Sequence, residues 1–127
     1  RRSSDLIMPN LLLAHFDRLG GYFRIEFAGA NARRLLGGEL IGQYPERAAP
    51  GTTLSWIGAG YAGAGRMVPA GIVQIRHEDL MATHLPYRDA RGRVTLILTA
   101  LARRPLTNGR AATVLPFRRR PDRTGEG

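Results

Sequence analysis

The chain has 127 residues, 43% of them hydrophobic, a net charge of +9 and no cysteine. That length supports one domain with something like two thirds of its unfolded surface buried. The lack of cysteine removes disulfides and thiol chemistry and fits a cytoplasmic chain. No apolar run approaches the roughly 20 residues that span a bilayer, and the opening six residues lack the apolar centre of a signal peptide.

The first residue is Arg1, as in a trimmed chain or a piece of a larger protein. All 19 basic residues are arginine. A lysine-free chain rich in Arg, Ala and Gly has the look of GC-rich codon usage, so the charge reads first as a solvated surface. Arginine still grips phosphate and carboxylate bidentately, which keeps polyanion partners open.

Three zones are expected: a polar lead over 1–5, a folded unit over 6–104, and a basic tail over 105–127 that is extended or disordered beyond about Val114. Within the unit, 11–17 reads as a strand and Arg18-Leu19-Gly20-Gly21 as a hairpin turn into a second strand over 22–28. Period-two alternation puts Phe23, Ile25 and Phe27 on one face of that second strand. Gly29 breaks it, 30–36 reads as a short helix, and Gly37-Gly38 suits a left-handed helix end.

Thr52 or Thr53 can cap a longer helix that runs to about Met67. Leu54, Ile57, Tyr61, Ala64 and Val68 form its apolar stripe, with Trp56, Gly60, Gly63 and Met67 beside it. Four glycines between Gly58 and Gly65 each cost about 1 kcal/mol against Ala in a helix interior. The cost makes sense for a helix pressed against a sheet or a ligand, and equally for a loose one.

Pro69 ends the helix. Strands over 72–77 and 81–89 follow, joined by Glu78-Asp79-Leu80, and Ala90-Arg91-Gly92 turns into a last strand over 94–102. That strand sets Val94, Leu96, Leu98 and Ala100 against Ile97 and Leu101. A strand apolar on both faces is a central one with cover on each side. One side is the helical layer, and the other calls for an N-terminal segment or a second subunit.

The order of these signals resembles the PAS sensory domains, in particular the small bacterial PAS-like family of near stand-alone domains. Phe27, Gly29, Leu36, Gly37, Leu40 and Gly42 match the strand–glycine–helix–glycine-loop run. Met8-Pro9-Asn10, Gly65, Pro69 and Leu85-Pro86 extend the likeness over 6–104. The chain departs at Ala30 and Ile41, where the family usually has hydroxyl residues. The resemblance implies an α+β fold: a five-stranded antiparallel sheet, first and last strands central, with short helices and one longer helix on one face. Periodicity alone gives only α+β with an antiparallel sheet.

The family's chemistry narrows by what this chain lacks. A flavin–cysteinyl adduct is excluded, since there is no cysteine. Haem is not expected, because the long helix holds no histidine; the cofactor, if any, is left unknown. His15, His77 and His84 fall on strands as surface or hydrogen-bonded residues, with no zinc spacing. Glu78-Asp79 reads as a solvated turn, no nucleophile elbow surrounds Ser55, and the glycine series lacks the lysine of a phosphate loop. No catalytic residue and no metal ligand is therefore nominated.

Ile25, Phe27, Trp56, Tyr61 and Met67 are the candidate lining of a pocket between helix and sheet, or else ordinary core. Leu96, Ile97 and Leu98 are the candidate interface for a homodimer or a signalling partner. Arg118, Arg119, Arg120 and Arg123 are candidates for a polyanion or nucleic acid. The favoured expectation is a sensory module that binds a small molecule or a protein and relays its state through the sheet face; the alternative is a basic polyanion-binding protein.

Overall fold

The computed structural model describes residues 8–66 and 72–104. Five strands form one antiparallel sheet: β1 (Leu11–Asp17), β2 (Tyr22–Ala28), β3 (Val73–His77), β4 (Leu80–Arg88) and β5 (Val94–Arg103). The spatial order is β2-β1-β5-β4-β3, so the first and last strands are central. Helix α1 (Ala30–Leu36), a 3₁₀ turn (Pro45–Arg47) and the longer helix α2 (Thr53–Arg66) connect β2 to β3. This is the PAS-like arrangement: five antiparallel strands, short helices and one longer helix on one face.

The junction after β2 shows why those residues occur together. Gly29 N–H donates to the Leu11 carbonyl at 2.9 Å, and Ala32 N–H donates to the Pro9 carbonyl at 2.9 Å. Asn31 Nδ2 donates to Asn10 Oδ1 at 2.6 Å. A Cβ on Gly29 would collide with the Met8 and Pro9 carbonyls, so only glycine lets the segment before β1 pack this closely. Helix α1 ends at Gly37, which is left-handed at φ 95° and donates to the Arg33 carbonyl. The loop then returns to the edge of β2, where Gly42 N–H donates to Ile25 O and Ile25 N–H to Gln43 O. That pairing covers an edge strand that would otherwise be open.

Helix α2 is capped by Thr52, whose hydroxyl accepts from Ser55 N–H at 3.2 Å. It packs across β3, β4 and β5 and against the 3₁₀ turn. Ile57, Tyr61 and Ala64 are fully buried beneath it, with Leu12, Ala14, Phe23, Ile25, Ile97 and Leu101 facing them from the sheet. The glycines are there for close approach: a Cβ on Gly60 would collide with the His84 ring, and one on Gly58 with the Pro45 carbonyl. Of the two explanations for a glycine-rich helix, the tight one holds at these positions.

Two irregularities change which face some residues occupy. Leu13 pairs with Phe27 but Ala14 pairs with Ile25, which leaves Glu26 as an extra residue in β2. This bulge turns Phe27 away from Phe23 and Ile25 and onto the opposite face, beside Leu13. Likewise Tyr87 pairs with Leu96 and Arg88 with Val94, so Thr95 is extra in β5. Val94 therefore faces inward with Ile97 and is not in line with Leu96 and Leu98. The β3–β4 turn is also one residue shorter than expected. His77 pairs with Leu80, and Glu78 takes a positive φ of 54° to close the two-residue loop.

Candidate functional site

The inner face of the sheet carries two polar side chains where apolar ones are the rule, and the helix above them adds a third. Strand alternation brings His84 of β4 into line with Leu80 and Ala82, and Thr99 of β5 into line with Ile97 and Leu101. Thr99 and His84 are cross-strand partners, and both are fully buried. His84 Nδ1 and Thr99 Oγ1 are hydrogen-bonded at 2.7 Å. Tyr61 hangs from α2 over the pair, its ring 5.4 Å from the His84 ring in an edge-on arrangement.

Burial governs the electrostatics here. Desolvation pushes His84 down to about 4, so the imidazole is neutral near pH 7. Desolvation also pushes the Tyr61 phenol up and the charge of Glu46 adds to it; the Thr99 hydroxyl is near enough to oppose the shift but does not meet hydrogen-bond geometry. The Tyr61 hydroxyl, His84 Nε2 and Trp56 Nε1 are all buried without a hydrogen-bond partner. Three such atoms under one helix stand out, because buried polar groups are nearly always paired. His84 Nε2 lies against the bare Cα of Gly60, so the layer is closed at that point.

The sequence-derived pocket residues are partly brought together. Ile25 and Tyr61 are fully buried in the inner layer. Trp56 is half-buried over the sheet's β3 end, where its ring stacks on His77 with centroids 5.3 Å apart and planes at 27°. Phe27 does not line this layer, because the Glu26 bulge puts it on the other face. Met67 lies outside the described residues, as do Arg118, Arg119, Arg120 and Arg123. Sequence reasoning missed His84, Thr99 and Gly60. The signal for His84 and Thr99 was available in their phase with the apolar residues of β4 and β5.

The outer face presents a different surface. Register aligns Phe27, Leu13, Leu98 and Leu85 in one row across β2, β1, β5 and β4. All four are half-buried, as are Leu11 and Leu96 on the same face. Ile97 leaves the candidate interface: it is fully buried on the inner side, one residue out of phase with Leu96 and Leu98.

Among the described residues no three His, Asp or Glu side chains stand close enough to hold a metal, and no helix is long and apolar enough to cross a membrane. Glu78 is exposed, while Asp79 pairs with Arg103 at 2.5 Å.

No family model matches the chain, and no curated protein matches it. Among solved structures, the PAS domain of Bordetella pertussis BvgS is similar over 80% of this chain and 82% of its own, at 12% identity and a TM-score of 0.41.

Proposed function

We propose that this chain is a PAS-like sensory module that binds a small molecule beneath α2 and relays its state through β5 to a second copy docked on the outer sheet face. The observation that carries the reading is the set of orphaned polar atoms on Tyr61, His84 and Trp56 under one helix. A ligand offering a hydrogen-bond partner to Tyr61 and His84, whose rings lie 5.4 Å apart, would satisfy groups that now lose hydrogen bonds to burial.

Entry requires α2 to move off His84. The helix is suited to this, since once lifted from the sheet it holds weakly on its own: each of its four glycines lowers intrinsic helix propensity by about 1 kcal/mol against Ala. Strand β5 links the two sides by alternation alone. Thr99 sits in the polar cluster, and its neighbour Leu98 sits in the outer apolar row. A shift of β5 therefore reaches both faces. The row is continuous across four strands and uncharged, which suits the self-complementary contact of a two-fold dimer.

Native mass spectrometry of the purified full chain tests both parts. The expected spectrum is a dimer with a non-covalent small molecule that disappears on denaturation. A bare monomer across preparations, with a melting temperature unmoved by small-molecule panels, would overturn the proposal.

A further inference from the structure

A second candidate site lies away from the buried cluster, at the end of the sheet where the β1–β2 and β4–β5 turns meet. A cleft of about 650 Å³ opens there, lined by Phe16, Arg18 and Phe23 on one side and by Arg88, Arg91 and Arg93 on the other. That volume falls within the roughly 300–1,000 Å³ of small-molecule sites. Asp89 is the acidic residue in the lining, and it is already engaged. Its Oδ1 accepts from the backbone N–H of Arg91 at 2.9 Å and of Arg93 at 3.0 Å. Those bonds, with the charges of Arg93 and Arg18, hold its carboxyl below the usual range.

Arg88 donates to the Gly92 carbonyl across the turn. The guanidinium groups of Arg18, Arg91 and Arg93 have no hydrogen-bonded or ion-paired partner among the described residues. Arg18, Arg88, Arg91 and Arg93 thus line the cleft with a single carboxylate, Asp89. The floor is aromatic: Phe16, 37% exposed, meets Phe23 edge-on with ring centroids 5.3 Å apart. Phe23 in turn lies 5.8 Å from Tyr61, so a row of rings leads from the cleft to the buried cluster.

We infer that this cleft binds an aromatic anion of mononucleotide size, its planar ring on Phe16 and its phosphate or carboxylate between Arg18, Arg91 and Arg93. The ring supplies apolar and cation–π contact, and the arginine forks take up the anion in bidentate fashion. Neither half suffices alone: a bare anion leaves Phe16 in water, and a neutral ring leaves the arginines unmatched.

Titration of the ¹⁵N-labelled full chain with AMP, benzoate, adenosine and inorganic phosphate tests this. The expected result is saturable shifts at Phe16 and over 91–95 with AMP or benzoate, and at least tenfold weaker binding of adenosine and phosphate. Stronger AMP binding would assign a phosphate ligand, and stronger benzoate binding a carboxylate. The double variant Arg91→Gln/Arg93→Gln should weaken the better ligand at least tenfold with an unchanged circular dichroism spectrum. Phe16→Leu should weaken it about fivefold; if Phe16→Leu fails to fold, the arginine variant decides. No shifts at millimolar ligand, phosphate binding as tightly as AMP, or undiminished binding by the double variant would each overturn the inference.

Discussion

The two faces of this sheet are built from the same strands, often from adjacent residues, yet they end in opposite conditions. Ile97 is fully buried beneath α2, while Leu96 and Leu98 on either side of it are half-buried on the outer face. The inner face is sealed by a helix that touches it through bare glycine backbone and traps polar atoms with nothing to bond. The outer face carries an apolar row and no such tension. What separates them is not hydrophobicity, since leucine lines both. The difference is that, among the described residues, a helix covers the inner face alone.

The largest test of that contrast is a pair of truncations on one strand. Ile97→Ala should destabilise by about 3–4 kcal/mol in urea denaturation, as for a core aliphatic that leaves a cavity. Leu98→Ala should cost about 1 kcal/mol or less under dilute conditions, because its side chain already meets water in the monomer. Equal costs would mean that the two faces are equally covered.

The sealed face should also respond to acid. His84 stands at about 4 in the folded chain against 6.5 for the free group. Between those values the unfolded chain takes up a proton that the folded chain does not, so unfolding gains as pH falls. This contribution, about 3 kcal/mol, is fully present above pH 6.5 and is lost progressively toward pH 4. Chemical denaturation at pH 7 and pH 4.5 should show the loss, and His84→Gln should flatten it.

Much of this architecture was legible in the sequence. The period-two strands and the glycine-bounded helix gave the antiparallel sheet, the doubly apolar β5 gave one central strand, and the central place of β1 came from the family resemblance. What escaped was phase. A single extra residue at Glu26 moved Phe27 to the outer face, and one at Thr95 moved Val94 to the inner. Bulges arise from how two strands pair, and alternation within one strand carries no trace of them. The polar cluster was half legible: His84 and Thr99 sit in phase with buried neighbours, but their pairing depends on the β4–β5 register. Trp56 stacks on His77 because α2 crosses toward β3, a crossing that a helical stripe does not encode.

Two glycines on α2 sharpen the comparison at smaller scale. Gly60 faces the His84 ring, whereas a Cβ on Gly63 would meet open space. Gly60→Ala should destabilise by about 2–3 kcal/mol through overpacking. Gly63→Ala should stabilise by about 1 kcal/mol through helix propensity. Thermal melts of the two variants should therefore move in opposite directions. A common direction would show that α2 does not press on the sheet at Gly60.

The central claim is that the open apolar face serves association while the sealed face serves sensing. Sedimentation velocity of the full chain at high concentration, compared with Leu98→Arg, tests it most directly. The wild-type chain should sediment as a dimer, and the Leu98→Arg chain as a monomer with an unchanged circular dichroism spectrum and a melting temperature close to that of the dilute parent. A wild-type chain that sediments as a monomer without binding apolar dyes, or a Leu98→Arg dimer as tight as the parent, would contradict it.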